Sequence, residues 1–346
     1  MNAAGRSAAA RESRNAEHTA PAAQAAQAVG PLAEEILKGS PKAVARAMTL
    51  VENGAPEAEA LLDAVFGKRL AAPRVGVTGP PGAGKSTLVA EYARLLRSSD
   101  VQVGVVAVDP TSPFTGGAIL GDRVRMGEHA TDPLVFIRSM ATRGSLGGLA
   151  ARTGDLCEIL DAWGSKTTLI ETVGVGQSEL DVAEAADTVA VVLTPESGDA
   201  IQALKAGLME IADVIVLNKA DHAGADAMEA ALRSSLAFRP AGSWKPPIVR
   251  TIATERKGVE AMHEALLQHR EHIAQPAIAT EIRRAKARLR LRNAVREGLW
   301  NAWLSGPAFE EELNRAADRV LRGEVSPHRA ARDLMERIAR HGQRQD

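Results

Sequence analysis

A glycine-rich stretch in the first third of the chain has residue types and spacing that could hold the phosphates of a nucleotide. Its residues are Gly79, Pro80, Pro81, Gly82, Ala83, Gly84, Lys85, Ser86 and Thr87. They fit the pattern G-x-x-x-x-G-K-[ST], in which glycines let backbone N–H groups turn towards an anion at the start of a helix. We expect Lys85 to reach the β- and γ-phosphates and Ser86 to bind Mg²⁺.

Carboxylates near neighbouring apolar runs are candidates for completing a Mg²⁺ site beside Ser86. Asp109 ends "VGVVAVD" and Glu171 ends "TTLIE", whereas Asp122 lies in the segment between them. Mg²⁺ prefers oxygen ligands, and open α/β sheets bind ligands at the carboxyl ends of their strands. Position therefore favours Asp109 and Glu171 over Asp122. A surface carboxylate is the alternative for each of the three.

A second motif, Asn218-Lys219-Ala220-Asp221, follows the apolar run "DVIVL" and has the N-K-x-D form of a guanine-reading box. Guanine offers N1–H and an amino group as paired donors, which a carboxylate such as Asp221 can accept. Adenine lacks that pair, so the box selects GTP over ATP. We expect Asn218 to bond the base edge and brace the phosphate loop, with the stem of Lys219 along the ring.

The stretch "ETVGVGQSE", Glu171–Glu179, is a candidate sensor of the γ-phosphate. Gly174 can contact the phosphate through its backbone N–H. Ras-like switches place next a Gln that orients the attacking water. Here that residue is Val175, and Gln177 stands at a different offset. We therefore predict slow intrinsic hydrolysis of GTP that needs a partner or a mobile segment.

Another candidate switch is "TPESGDAIQALKAG", Thr194–Gly207, which follows the apolar run "TVAVVL". Asp199, Gln202 and Lys205 are spaced three apart, as on one face of a helical turn. A Lys on a mobile segment could neutralise phosphate charge in the transition state. From the residues alone, a solvated helix start is an equal alternative.

These candidate residues are carried by short β-branched runs that alternate with amphipathic segments. The runs are RVGVTG, VQVGVVAVD, TTLIETVG, TVAVVLTP, DVIVLNKAD and PIVRTIA. Continuously apolar strands between helices predict a mostly parallel sheet covered on both faces. The sequence therefore predicts an α/β fold with a P-loop core over residues 70–275.

Helical patterns precede and follow this core. Residues 31–69 predict three short helices, the second capped by Ser40 with Pro41 at its first position. Residues 276–346 predict a helical arm whose basic residues form a solvated face rather than a nucleic-acid stripe. The Ala-rich residues 1–30 predict a disordered tail.

The composition argues against several classes of protein. Of 346 residues, 45% are hydrophobic and only 3% aromatic, and the formal net charge is −1. Nucleic acid is therefore not an expected partner. No apolar run approaches the roughly 20 residues that cross a bilayer, so no membrane partner is expected. A single cysteine, Cys157, and the lack of a signal peptide favour a bacterial cytoplasmic protein over one of the mitochondrial matrix.

Seven segments in order give a long and specific pattern: GPPGAGKST, VVAVDPTSPFTGGAILGDRVRM, SLGGLA, ETVGVGQSE, GDAIQALKAG, MEIAD and NKAD. With its helical flanks, the chain resembles the methylmalonyl-CoA mutase-associated G proteins, the MeaB/ArgK/MMAA group, over about residues 30–345. The resemblance implies a SIMIBI-class GTPase that uses GTP/GDP and Mg²⁺ and forms a homodimer through its C-terminal arm.

The resemblance also implies a partner, an adenosylcobalamin-dependent acyl-CoA mutase. The GTPase would gate loading of the cofactor, protect the mutase and help to eject damaged cofactor. The adenosyltransferase that supplies the cofactor is a further partner in this scheme. No D-x-H-x-x-G cobalamin signature occurs in this chain, so the cobalamin site is expected on the mutase.

Carried over by position, the resemblance assigns roles to particular residues. Lys85 and Ser86 would bind the phosphates and the metal. The metal-site or switch acids are Asp109, Asp122 and Glu171. A third switch, which the mutase reorganises to activate hydrolysis, contains Asp199, Gln202 and Lys205. The family's "PGSGD" loop reads "PESGD" here, with Glu196 in place of Gly, a change that could alter loop flexibility and partner choice.

Two other functions fit the sequence less well. A nickel-insertion GTPase needs His-rich or paired-Cys metal sites, whereas the one Cys has no partner and the eight His form no tract. A P-loop metabolite kinase would not need a guanine box, and no His-Arg-Asp catalytic loop is present.

Overall fold

The computed structural model describes most of the chain in nine ranges. These are residues 27–69, 71–109, 131–141, 149–172, 178–195, 207–240, 243–300, 304 and 306–342. The chain divides into two compact units, Met1–Arg283 and Arg284–Asp346.

A seven-stranded parallel sheet forms the centre of the first unit. Its strands are β1 Arg74–Thr78, β2 Val103–Asp109, β3 Val135–Ala141, β4 Thr167–Thr172, β5 Thr188–Leu193, β6 Val214–Leu217 and β7 Ile248–Arg250. Their spatial order is β3-β2-β4-β1-β5-β6-β7, and all neighbouring pairs are parallel. The predicted α/β class is confirmed. Consecutive strands β4 and β5 flank β1, so a crevice opens at its carboxyl end.

Helices cover both faces of the sheet. In chain order the α-helices of the described residues are α1 over 27–37, α2 Pro41–Glu52, α3 Ala58–Val65, α4 Lys85–Ser98, α5 Leu149–Trp163, α6 Ser178–Ala185, α7 Leu208–Ile211, α8 Ala225–Leu236, α9 Val259–Ile273, α10 Pro276–Leu299, α11 Pro307–Leu321 and α12 Pro327–Gly342. Side chains alternate along each strand. Val191 of β5 therefore joins the core beneath α1–α3 and α5–α8, while Val192 joins the core beneath α4 and α9.

The N-terminal helices share a core with the sheet domain. Ile36 and Met48 are fully buried in the same cluster as Trp163 of α5, and the indole N–H of Trp163 donates to the carbonyl of Gly39 at 3.1 Å. Val29 is also buried there, and it lies in α1, which includes residue 27. Ordered structure thus begins before residue 31, where the sequence placed its start, because Val29 contributes to the core.

One strand, β3, was missed in the sequence. It lies at the edge of the sheet. Its first five residues, Val135–Ser139, are half-buried rather than buried. The apolar run is interrupted by Arg138. The strand can hold this charge because the guanidinium pairs with the carboxylate of Glu52 on α2, with Nε donating to Oε1 at 2.8 Å. A polar strand residue covered by a helix gives no continuous apolar signal.

The second unit contains the end of α10 followed by α11 and α12. α11 and α12 contact each other, and Ala330 of α12 is buried. On α10, Leu291, Val295 and Leu299 recur every four residues and are more than half exposed. None of the described helices is both long and apolar enough to cross a membrane.

Candidate functional site

The glycine-rich loop lies between the carboxyl end of β1 and the first turn of α4. Gly79, Gly82 and Gly84 all have positive φ angles, of 140°, 78° and 86°. A Cβ atom on Gly79 would lie 2.1 Å from the carbonyl oxygen of Val192 on β5. The loop therefore needs glycine at this position for its close approach to the neighbouring strand.

Lys85 begins α4 and folds its side chain back over the loop. Its Nζ donates to the carbonyl oxygens of Gly79 at 2.8 Å and Pro80 at 2.9 Å, and the residue is only 6% exposed. The buried ammonium and the N-terminus of α4 both contribute positive potential at the loop. This arrangement can bind an anion such as a polyphosphate.

Ser86 and Glu171 form a buried oxygen pair beside the loop. The Ser86 hydroxyl donates to Oε1 of Glu171 at 2.5 Å, and both residues are buried. Glu171 reaches this place because β4 pairs with β1, with Glu171 opposite Val77. Hydroxyl and carboxylate oxygens suit Mg²⁺. The pair therefore fits the metal that the sequence predicts, at the position where the phosphates would lie.

The strand register places the backbone of Asp109 at the same edge of the sheet. Ala107 is opposite Glu171 and Val108 opposite Thr172, and Asp109 is the next residue and the last of β2.

A hydrogen bond between two threonines, which was missed in the sequence, joins β1 to β4 at this edge. The Thr172 hydroxyl donates to that of Thr78 at 2.9 Å, and both residues are buried. Two threonines that end neighbouring strands could have indicated this contact.

Asn218 connects the predicted guanine-reading loop to the phosphate loop. Its Nδ2 donates to the carbonyl of Ala83 at 2.8 Å. Its Oδ1 accepts from the hydroxyl of Thr251 at 3.0 Å and from the backbone N–H of Ala253 at 3.1 Å. The residue is 3% exposed. The predicted brace is thus present, and it includes a third segment, after β7, that was not recognised in the sequence.

The remaining residues of this motif lie nearer the surface. Lys219 adopts a left-handed backbone conformation with φ of 54°, and the N–H of Ala220 donates to the carbonyl of Thr251 at 3.1 Å. Oδ2 of Asp221 lies 3.7 Å from Nε2 of His222, and the Asp221 side chain is 45% exposed. The carboxylate is therefore accessible to a base that approaches from solvent.

Several predicted switch residues lie outside the described residues. They are Asp122, Gly174, Val175, Gln177, Glu196, Asp199, Gln202 and Lys205. The flanks of the Thr194–Gly207 segment are described. Leu193 ends β5 next to β1, and α7 begins at Leu208 after Gly207 at φ of 74°. Arg239 holds α7 by donating to the carbonyls of Met209 at 2.5 Å and Ala212 at 3.2 Å.

Within the ranges described, the His, Cys, Asp and Glu residues form no group of three or more that could hold a metal ion. The oxygen pair of Ser86 and Glu171 is a smaller set, which leaves coordination positions for phosphate and water oxygens.

Comparison with known proteins gives matches over most of the chain. The family described as Methylmalonyl Co-A mutase-associated GTPase MeaB matches residues 44–308. A protein of Pyrococcus abyssi (strain GE5 / Orsay) is 44% identical over 315 residues, which are 89% of this chain and 96% of the relative. The GTPase ArgK of Escherichia coli (strain K12) is 35% identical over 322 residues, with 89% and 96% covered.

A solved structure also resembles most of the chain. The crystal structure of an LAO/AO transport system kinase has a TM-score of 0.65 and 28% sequence identity, and the match covers 90% of this chain and 98% of that one. The matched residues include the phosphate loop, the Ser86–Glu171 pair and the Asn218 brace. The resemblance deduced from the motifs is confirmed, and the chain belongs to the MeaB family of methylmalonyl-CoA mutase-associated GTPases.

Proposed function

We propose that this protein is a GTPase that binds an adenosylcobalamin-dependent acyl-CoA mutase and uses GTP to gate loading, protection and repair of the mutase cofactor. Methylmalonyl-CoA mutase or a close relative is the proposed client, because the family is described by its association with that enzyme. The cobalamin site is assigned to the mutase, and the adenosyltransferase is a second proposed partner.

The observation that carries the nucleotide part of this proposal is the bond from Asn218 to Ala83. It ties the loop containing Asp221 to the loop containing Lys85, so base recognition and phosphate binding belong to one site. A site that only held phosphates would not need this connection. A carboxylate at Asp221 favours guanine because it accepts two hydrogen bonds from that base.

The proposed chemistry assigns each residue of the site a simple task. Lys85 exchanges its two carbonyl partners in the loop for the β- and γ-phosphate oxygens, and backbone N–H groups of the loop hold the same phosphates. Ser86 and Glu171 would hold Mg²⁺, which neutralises phosphate charge when bound. With Val175 in place of a Gln, no side chain at that position orients water, so hydrolysis is slow in the protein alone.

The acceleration step is assigned to the Thr194–Gly207 segment. Lys205, with Asp199 and Gln202, would approach the phosphates once the mutase has bound, and its positive charge would stabilise the transition state. The order along the chain supports the assignment, since the segment follows β5, and β5 pairs with β1, the strand that precedes the phosphate loop. Glu196 lies in the same segment and would influence its contact with the mutase.

A homodimer through the C-terminal arm completes the proposal. On α10, the repeat of Leu291, Val295 and Leu299 gives an apolar stripe that is exposed in the single chain. A stripe with this spacing suits the helix of a second copy. Sedimentation of Val295→Glu against the wild type tests it, because a charge in the stripe would give a monomer.

Base selectivity tests the nucleotide assignment. The wild type should bind GDP far more tightly than ADP, and Asp221→Asn should lose guanine preference and gain xanthine preference. A charged but distant matched control is Asp63→Asn on α3, which should keep guanine preference. Equal binding of ADP and GDP by the wild type would contradict the assignment. It would instead favour the P-loop metabolite kinase, the alternative considered from the sequence.

Capture of a mutase tests the chaperone assignment. The protein is mixed with purified methylmalonyl-, isobutyryl-, ethylmalonyl- and 2-hydroxyisobutyryl-CoA mutases, with a non-hydrolysable GTP analogue or GDP. We expect one of them to bind in a nucleotide-dependent way and to accelerate GTP hydrolysis. Lys205→Ala should lose this acceleration, whereas Lys42→Ala on the exposed face of α2 should keep it. No binding and no acceleration with any of the four would refute the proposal.

A further inference from the structure

A second cavity lies at the opposite end of the sheet from the phosphate loop. It has a volume of about 550 Å³ and is lined by the first residues of β1 and β5, by α4 and α9, and by the start of α10. Leu96 of α4 lines it, whereas Ser86 at the other end of α4 belongs to the nucleotide site. At the rise of an α-helix these two residues are about 15 Å apart. The cavity is therefore separate from the nucleotide site.

The floor and much of the wall of this cavity are aliphatic. Leu96 and Leu266 are buried beneath it, and Leu267 lines it with 39% of its surface exposed. Ile273 and Ile282 continue the wall towards α10. Cavities of about 300–1,000 Å³ with apolar linings are typical of small-molecule sites. An organic group of modest size can therefore occupy the space by burying apolar surface.

Two arginines give the cavity lining positive charge. Within the described ranges, no carboxylate forms an ion pair with Arg270 or Arg283, although both line the cavity. The third lining arginine, Arg74, is different, because its guanidinium lies 3.0 Å from the carboxylate of Asp161. The lining carboxylate of Asp187 accepts the backbone N–H of Arg74 at 2.9 Å.

The surroundings add to this positive charge. Arg270 also borders a neighbouring hollow of about 590 Å³ that is lined by Lys68, Arg69 and Lys166. The single carboxylate of that hollow, Asp161, is the one paired with Arg74. An anion that enters the cavity near Arg270 therefore meets a basic surface on its way.

A neutral polar pair completes the lining. The hydroxyl of Tyr92 lies 3.0 Å from Nδ1 of His263. Burial raises the pKa of Tyr92 and lowers the pKa of His263, so both side chains are uncharged at neutral pH. They contribute hydrogen bonding and no charge. Two lining arginines, Arg270 and Arg283, then stand against one lining carboxylate, Asp187, so the excess charge of the described lining is positive.

We propose that this cavity is a binding site for a small organic anion, with its apolar body on Leu96 and Leu266 and its carboxylate, sulfonate or phosphate group paired with Arg270. A guanidinium suits each of these groups because it can donate two parallel hydrogen bonds to them. The site is separate from the nucleotide site, which lies at the other end of α4.

A fluorescent probe of matching chemistry tests the site. 8-Anilinonaphthalene-1-sulfonate has an aromatic body and one sulfonate, and N-phenyl-1-naphthylamine has the same body without the charge. We expect the full-length protein to bind the sulfonate at one site and the neutral amine at least about tenfold more weakly, as for loss of a charged hydrogen bond. Arg270→Gln should lower the affinity for the sulfonate by a similar factor and leave the amine unchanged.

Three further variants separate the cavity from other surfaces. Arg46→Gln removes an exposed arginine of α2 and should bind the sulfonate as the wild type does. Lys85→Ala should also keep this binding, because the probe does not use the phosphate loop. Ala279→Leu narrows the cavity without changing its charge and should weaken both probes, with circular dichroism to verify folding. Equal affinity of wild type, Arg270→Gln and Ala279→Leu for the sulfonate, or no binding by the wild type, would overturn the proposal.

Discussion

Removal of the Asn218 side chain should weaken both the fold and the nucleotide site. In Asn218→Ala, three buried hydrogen bonds are lost, at 2.8, 3.0 and 3.1 Å. Each contributes about 1 kcal/mol net, and a buried group left without its partner costs about 1–3 kcal/mol. We therefore expect the free energy of unfolding to fall by about 3–5 kcal/mol. Affinity for GDP should fall as well, because the carbonyl of Ala83 loses the hydrogen bond from Asn218 that holds the phosphate loop in place.

The matched control is Thr251→Val, which keeps the shape of a buried side chain and removes one of the three bonds. It should cost only about 1 kcal/mol and leave the bond from Asn218 to Ala83 intact. Urea unfolding monitored by circular dichroism measures the first effect in both variants, and titration with a fluorescent GDP analogue measures the second.

The relative loss of unfolding free energy in the two variants tests the brace. If Asn218→Ala destabilised the protein no more than Thr251→Val, the three-way brace would not contribute as derived. If Asn218→Ala unfolded more easily but bound GDP with unchanged affinity, the link between the brace and the phosphate loop would be refuted.

The other predictions concern the loop, the cysteine and the acid range. Gly79→Ala should abolish GDP binding because its Cβ would lie 2.1 Å from a carbonyl oxygen. Gly82→Ala would meet no neighbouring atom within 4 Å, and only the strain of its φ of 78° remains, so it should bind GDP with modest loss in the same titration. Burial raises the pKa of Cys157 to about 12. The thiol should therefore not react with a disulfide reagent at pH 8 unless urea unfolds the protein. Rapid reaction of the native protein would contradict this prediction. Hydrogen bonds from two arginines lower the pKa of Glu229. Its contribution to stability is therefore present above the unfolded-state pKa and is lost as the pH falls through the folded-state pKa. The difference in urea midpoint between wild type and Glu229→Gln should shrink on acidification. A difference that stays constant with pH would contradict this prediction.

Much of the site was predictable because its chemistry resides in contiguous motifs. Six strands and the phosphate loop are visible as short apolar runs and a glycine pattern, and the brace by Asn218 was expected from its residue type. The partners Thr251 and Ala253 were not expected. They lie more than thirty residues further along the chain, and only the pairing of β6 with β7 brings them next to Asn218.

The missed strand has a different cause. β3 lies at the edge and is covered by α2, so its residues are half-buried and include Arg138. Its apolar pattern is broken by a side chain whose partner, Glu52, comes from the N-terminal helices. Sequence patterns report the burial of single residues, and they do not report an ion pair between segments that lie far apart in the chain.

Glu52 also bears on whether residues can be inserted between β3 and α5. Its carboxylate accepts from Arg138 on β3, and its backbone carbonyl accepts from Arg152 on α5 at 2.5 Å. Residues 142–148 thus begin and end on elements fixed to one point of α2. Doubling the number of residues between two fixed ends has a closure-entropy cost of only about 0.6 kcal/mol. Insertions within 142–148 should therefore leave the protein folded, and an altered GTP response in such variants would report on function rather than on stability.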